Sequence, residues 1–433
     1  MGWIGDAFTS DTGWNHLETL VDVGDRMAGS DGERRAAEAT RDALAAAGAR
    51  NARIDEFEIT GWTRGDSAVR AGGTTHDCIG LPRSPAATAT GEFVDLGHGL
   101  PEDFADADVS GTVVMVASDV PDWYDRFPHR REKYALAAEG GAVGFVFRNH
   151  VEGCLAPTGS VSLGGDPVGP IPAVGVSKEV GTRLARRHEG REATVEVEAE
   201  IGPTPSGNVH AELGPDTDER VLVTSHVDAH DIAEGALDNA AGTATVVGIA
   251  EALAARASEL STRVEFVAYG AEEVGLVGSA HHASNTDRGN VAAVVNNDGV
   301  AGGRTLEVAT NGFDELGAAV RRVADRFDHP IAVTPDLNTH SDHWSFVKHG
   351  VPGMRVASES DGPGRGWGHT RADTLDKLEA QTLRESTILL TALVADLAGE
   401  GVAPDPWSPA SIADELDRQG LAEALRAVGD WPY

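Results

Sequence analysis

Apolar residues recur along this chain in two rhythms, and the places where the rhythm changes divide it. Residues 14–49 read as two helices; the second, SDGERRAAEATRDALAAAGA, offers Ser30 and Asp31 as caps and closes near Gly48. ARIDEFEI then alternates with the period of a half-buried strand. Residues 61–90, rich in Gly, Thr, Pro and Ala, have no period and mark a crossing between domains. Residues 91–198 contain buried-type strands at 111–118 and 142–149, with the helical EKYALAAEGGA between them. GPIPAVGVSKEVGTRLARR adds a strand, a cap at Ser177 and a helix.

From residue 208 short apolar runs alternate with helical ones. ERVLVTSHVD, STRVEFVAYGAEEVG, NVAAVVNNDGV and GVPGMRVASES are predicted strands. GALDNAAGTATVVGIAEALAAR and the segment from about 376 to 398 are predicted helices, and SIADELDRQGLAEALRAV a peripheral one. This alternation predicts an α/β fold with a mostly parallel central sheet flanked by helices. The expected divisions are 1–75 as the first part of the main domain, 76–200 as a smaller inserted domain, 201–400 as the core, and 401–433 as a helical tail.

Composition changes this picture at the surface. The 433-residue chain carries 69 Asp+Glu against 35 Lys+Arg, a formal charge of −34, and its lysines are Lys133, Lys178, Lys348 and Lys377. So acidic a surface disfavours nucleic acid and anionic membranes as partners and suits a halophilic, high-salt cytoplasm. The cytoplasmic expectation also follows from MGWIGDAFTSD, which lacks the basic and apolar regions of a signal peptide, and from the absence of a membrane-length apolar run. Two cysteines, Cys78 and Cys154, make no disulfide framework and no metal-binding pair, though one bridge between them is open. Composition gives no oligomeric state.

The chemistry-bearing residues cluster where predicted strands end. His226 and Asp228 close one strand, Glu272 and Glu273 follow a second, and Asp298 follows a third; Asp238 stands before a helix and His369 in a Gly-dense loop. Strand carboxyl ends are where parallel sheets place ligands. Each signal alone is ordinary: an HxD is usually a surface pair, a DN a helix cap, an EE a solvated acidic pair. Together, hard carboxylates and two imidazoles suit a pair of divalent ions, zinc first, with Co2+ or Mn2+ accommodated.

The ordered series H-x-D, G-A-x-D-N, E-E-x-G-x-x-G-S, N-x-D-G, S-D-H-x-x-F, G-x-P and H-T-x-x-D-T-x-D-K resembles the M28 family of dinuclear zinc exopeptidases, over roughly 14–60 and 205–398. VSGTVVMV, KYALAAEGGAVGFVF and PIPAVGVS resemble the protease-associated (PA) domain inserted in such enzymes. The resemblance implies two Zn2+, with Asp238 as the bridge. His226 and Asp298 would complete one site, and Glu273 and His369 the other. Glu272 would be the general base and Asp228 would orient His226. Asn239 would shape the bridge, and Asp342 and His343 would stand on the substrate side. No motif supports His230, His281, His282, His340 or His349, which read as surface or packing residues.

A metallo-exopeptidase acting on peptides is therefore expected, an aminopeptidase first. A carboxypeptidase or dipeptidase of the same family is the alternative, for which Arg355, Arg365 and Arg371 are candidate carboxylate receptors. A glutaminyl-cyclase-like acyltransferase and a non-catalytic peptide-binding module are the rivals outside peptide hydrolysis, and retention of every ligand and of Glu272 counts against both.

The surface charge generates a prediction. Screening shrinks the Debye length from ~10 Å at 0.1 M salt to ~3 Å at 1 M, which relieves carboxylate repulsion. Melting temperature and activity should rise from dilute buffer into molar KCl. A flat or falling melting temperature across that range would refute the high-salt reading.

Overall fold

The computed structural model describes residues 2–359, 367–399 and 404–433. Its chain forms two compact units. The first comprises 1–59, 204–368 and 373–415; the second comprises 60–203, 369–372 and 416–433.

The first unit is built on a run of strands here labelled β1 (Glu192–Leu213, which enters it at Thr204), β2 (Arg220–His226), β3 (Arg263–Tyr269), β4 (Val291–Asn297), β5 (Leu306–Ala309), β6 (Ile331–Thr334) and β7 (Gly353–Ser358). Their order across the sheet is β6-β5-β7-β4-β2-β3-β1. The central neighbours β7, β4, β2 and β3 are all parallel. β1 joins β3, and β5 joins β7, in antiparallel pairing. Val221, Leu222 and Val223 of β2 are fully buried, as are Phe266 and Val267 of β3 and Val294 and Val295 of β4. Such continuous apolar runs are what a covered parallel sheet demands. Leu222, Val267 and Val294 pack with Ala283, Phe346 and Val351.

Helix Ala241–Ala254 is apolar around almost its whole circumference because it is enclosed, lying against β2 and between helices Thr12–Val23 and Ala380–Leu397. The predicted helix from Gly235 starts only at Ala241. Residues Ala236–Ala240 form an irregular turn, with Asp238 at φ −120°, ψ 89° and a cis Asp238–Asn239 peptide. Side-chain acceptors elsewhere take the backbone amides that a helix would have left unpaired.

The second unit contains a parallel run of Ala87–Asp95, Thr112–Ala117, Gly144–Arg148 and Ala173–Val176. Val114, Val116, Tyr134, Phe145 and Phe147 form its core. Helix Arg130–Glu139 and helix Lys178–His188, whose Ser177 cap accepts from Val180 N, complete the expected pattern.

Two further elements differ from their predictions. The strand begun by ARIDEFEI runs on as Arg50–Ala71, because pairing with β1 carries it through residues without apolar period. The C-terminal helix is two, Pro409–Arg418 and Ala422–Ala427, separated at Gly420 (φ +69°). Cys78 and Cys154 are both free thiols, the first buried and the second exposed. No helix among the described residues is long and apolar enough to cross a membrane.

Two buried histidines of the first unit are shifted strongly downward. His16 Nε2 donates to Thr40 Oγ1 (3.1 Å), whose hydroxyl donates to the Ala36 carbonyl. Burial, then the Arg26 charge, pushes His16 down to about 4. Burial, then His210, pushes His282 down to about 3. Both are neutral in the fold, whereas the unfolded chain protonates them near 6.5. Stability is therefore lost as pH falls below about 6.5, by ~1.4 kcal/mol per pH unit for each group until its folded value is reached. Measured against His16→Asn at each pH, wild-type protein should lose relative melting temperature as pH falls from about 6.5 to about 5. A difference between the two that stays constant across that range would refute the assignment.

Candidate metal centre

β2 and β3 are in register, with Tyr269 beside His226, and β4 lies on the other side of β2 with Asn296 beside Thr224. Their carboxyl ends therefore stop together. His226 ends β2, Gly270–Glu273 follow β3, and Asp298 follows β4. Sheet register thus brings together residues as far apart in sequence as His226 and Asp298.

His226 is buried, and its Nδ1 donates to the Asp228 carbonyl at 3.0 Å. A carbonyl can only accept, so Nδ1 carries the proton and Nε2 is the basic nitrogen, the tautomer a metal-binding imidazole needs. Nε2 points at Asp238 Oδ1 (3.2 Å) and lies 3.9 Å from Asp298 Oδ1. His226, Glu272 and Asp298 each bring a donor atom within 4.8 Å of the others.

Asp228 does more than face His226. Its two carboxylate oxygens accept from the backbone amides of Glu272 and Glu273, each at 3.1 Å. One carboxylate at the end of β2 thereby fixes the loop carrying both glutamates. Glu273 Oε2 lies 3.0 Å from Nε2 of His230, a buried residue for which the sequence offered no site role.

Asp298 is held from behind. Its Oδ2 accepts from Ser341 Oγ and from Arg355 Nε (3.3 Å). Ser341 Oγ accepts in turn from Asn296 Nδ2 (2.7 Å), and Asn296 Oδ1 from Thr224 Oγ1 (2.6 Å). The donors run one way, Thr224 to Asn296 to Ser341 to Asp298, and leave Oδ1 facing His226. Burial alone would raise Asp298, but Arg355, His226 and Ser341 outweigh it and hold it below its ordinary value.

The Asp238 turn is held by Asp373, whose carboxylate accepts from Leu237 N (2.7 Å) and Asp238 N (3.1 Å). Asn239 Nδ2 donates to the Asn297 carbonyl (2.9 Å), and its Oδ1 accepts from Gly242 N. Asp373 stands in the H-T-x-x-D-T segment, so its motif was visible although its role was not.

Other expected residues lie differently. Asp342 and His343, expected on the substrate side, are instead fully buried. Burial raises Asp342 to about 8 against the pull of His226, and lowers His343 to about 3. Arg355 is engaged with Asp298, Arg371 is exposed in the second unit, and Arg365 lies outside the described residues. His369 also falls in the second unit, where its Nδ1 donates to the Thr158 carbonyl (3.3 Å), again placing the lone pair on Nε2.

The donor set fits divalent cations. Burial raises Glu272 well above its ordinary value; Asp342, Glu273 and Asp298 add to this and His226 opposes it. Burial opposes the rise of His226, but Glu272, Asp228 and Asp238 overcome it. Such crowding of negative charge is what a bound cation relieves. A second histidine–carboxylate cluster in the same unit has the opposite character. His210 Nδ1 meets Glu265 Oε1 at 2.9 Å, Arg220 Nε lies 3.1 Å from Glu265 Oε2, and Tyr269 hydroxyl bonds His282 Nδ1 at 3.0 Å. There one guanidinium already balances the one carboxylate.

Residues 208–394 match the model of peptidase family M28, and residues 86–184 that of the PA domain. Aminopeptidase YwaD of Bacillus subtilis is 27% identical over 322 residues, 70% of this chain and 66% of that protein. The probable lipoprotein aminopeptidase LpqL of Mycobacterium tuberculosis is 28% identical over 63% of this chain and 54% of its own length. The matches thus span about two thirds or less of these curated relatives. Among solved structures, a peptidase M28 precursor from Shewanella amazonensis aligns with TM-score 0.77 at 23% identity, over 94% of this chain and 98% of that one. An aminopeptidase from Aneurinibacillus sp. strain AM-1 aligns with TM-score 0.70 at 24% identity over the same shares.

The donor row behind Asp298 generates a prediction. Ser341→Ala removes the hydroxyl donor while leaving Asp298 and Arg355 in place. Zinc affinity, read by competition with a chromophoric chelator, should fall about 10-fold or more. Unchanged affinity in a folded Ser341→Ala protein would refute the positioning role of Ser341.

Proposed function

We propose, from a chain whose residues 208–394 belong to peptidase family M28 and whose residues 86–184 form a PA domain, that this protein is a zinc-dependent aminopeptidase. It releases the N-terminal residue of peptides. The observation that carries the reading is the gathering of Asp238, Asp298 and Glu272 about His226 beyond the ends of parallel strands, with Asp238 and Asp298 facing its Nε2. The M28 assignment supplies the rest of the ligand set. His226, Asp238 and Asp298 would hold one zinc, and Asp238, Glu273 and His369 a second. Bound zinc supplies a water of lowered pKa and polarises the scissile carbonyl.

The chain's own residues do the remaining work. Glu272 takes the proton of the attacking water and returns it to the leaving amine, a task suited to a carboxyl raised by burial and by its acidic neighbours. Asp228 keeps Glu272 in place by accepting its backbone amide, so the base cannot drift from the water it serves. Ser341 and Arg355 fix the rotation of Asp298.

Charge supports the amino-terminal preference. A carboxypeptidase needs a cation available to the substrate carboxylate, yet Arg355 is committed to Asp298. The surrounding excess of carboxylates favours a substrate ammonium. Relatives named as aminopeptidases agree with this direction.

Glu272→Gln should retain zinc and lose ~10²–10⁴-fold in kcat, because the amide cannot accept the proton. Asp238→Asn should lower zinc content itself. The assay pairs free-N-terminus peptides with N-blocked ones, before and after chelation, alongside elemental analysis. Cleavage of blocked peptides, or full activity at one zinc or none per chain, would sink the reading.

A further inference from the structure

Two ionisable residues of the N-terminal segment are buried against the loops that carry the candidate metal donors. Both lie outside the stretch that matches the peptidase family. Arg26 is 1% exposed. Its Nε donates to the Val227 carbonyl (3.1 Å), Nη1 to those of Leu20 (2.9 Å) and Glu234 (2.7 Å), and Nη2 to that of Gly235 (2.9 Å). The Arg26 carbonyl accepts from Ala229 N at 3.0 Å. One residue thus grips residues 227, 229, 234 and 235, between His226 and Asp238. Gly235 takes φ +58°, and a side chain there would meet Arg26 Nη2 at 2.9 Å and Ala229 Cβ at 2.5 Å. The loop is drawn tightly around the guanidinium.

Glu33, on helix Asp31–Ala46, is equally buried. Its Oε1 accepts from Ser206 Oγ and Ala271 N, both at 2.9 Å, and its Oε2 from Gly29 N at 2.7 Å. Ala271 has φ +56°, and a Cβ on Gly270 would lie 2.9 Å from Glu33 Oε1. The next two amides, of Glu272 and Glu273, go to Asp228. Three consecutive N–H groups are therefore pinned by two carboxylates, one of them from the N-terminal segment.

Burying a guanidinium and a carboxyl is an expensive way to stabilise a fold, since apolar residues of similar volume often serve as well or better. What these groups add is direction. Past the strand ends the sheet ladder no longer fixes the backbone, and here planar donors and paired acceptors replace it. We propose that Arg26 and Glu33 are positioning residues for the metal centre. Arg26 sets the loop from Val227 to Asp238 and Glu33 sets the turn that presents Glu272 and Glu273. The proposal rests on the reading of that centre as a zinc site.

The test uses the full chain with Arg26→Lys, Glu33→Gln and, as a control, Leu44→Ala. Leu44 is buried on the same helix as Glu33, so its truncation lowers stability without touching either loop contact. Zinc affinity is measured by chelator competition well below each melting temperature, and kcat and KM on a free-N-terminus peptide. Arg26→Lys and Glu33→Gln should weaken zinc about 10–100-fold and lower kcat with KM little changed. Leu44→Ala should lower melting temperature while leaving zinc affinity and kcat near normal. Glu33→Gln, which keeps the side-chain length and one acceptor oxygen, carries the test if Arg26→Lys fails to fold. Folded Arg26 and Glu33 variants with normal zinc affinity and kcat would overturn the proposal alone. Wild-type protein that takes up no zinc would overturn the functional reading beneath it.

Discussion

At the ends of β2, β3 and β4, buried carboxylates accept the backbone amides of neighbouring loops, and the arrangement of the centre depends on this exchange. Asp228 takes the amides of Glu272 and Glu273. Asp373 takes those of Leu237 and Asp238. Glu33 takes those of Gly29 and Ala271. Apart from the local Gly29 contact, an acid on one segment fixes the main chain of another, and that second segment carries candidate metal donors. Burial still lifts Glu33 to about 8 and Asp373 to about 7, and the amides they accept from oppose that rise. Buried amides without such acceptors would each cost about 1–3 kcal/mol.

The two histidine–carboxylate clusters of the first unit show why residue type alone does not define a metal site. Around His226 the carboxylates outnumber the adjacent cation, and the structure raises Glu272. Around His210 a single carboxylate is matched by Arg220, and Glu265 is held down at about 2, since its partners overcome the upward push of burial. The first environment is short of positive charge; the second has it already. Position separates them too. His210 and Glu265 lie within strands, closed in by the ladder, whereas His226 and Asp298 lie where the ladder ends and the backbone is free to turn toward a ligand.

Much of this organisation was legible along the chain. Apolar runs of strand length, each ending in a histidine or carboxylate, located the sheet and marked the candidate donors at its strand ends. The ligand types pointed to hard divalent ions, and the excess of Asp and Glu over Lys described the surface. These features are local: strand period, spacing and composition are properties of short stretches, so a linear reading can recover them. The same holds for the Ser30 and Ser177 caps, where the hydroxyl and the amide it accepts from lie three residues apart.

What the tertiary structure alone decided is everything carried by a hydrogen bond between distant segments. Arg26 meets Gly235, Glu33 meets Ala271 and Ser341 meets Asp298, with no periodic signal joining the partners. The helix predicted from Gly235 begins instead at Ala241, and Asp373, more than a hundred residues on, takes the amides of Leu237 and Asp238 in the turn before it. The proton position on His226 follows from one carbonyl in the folded chain. Local pattern determines which residues can serve the site. Only packing, which sets the distance and direction between side chains far apart in sequence, determines which atoms face one another there.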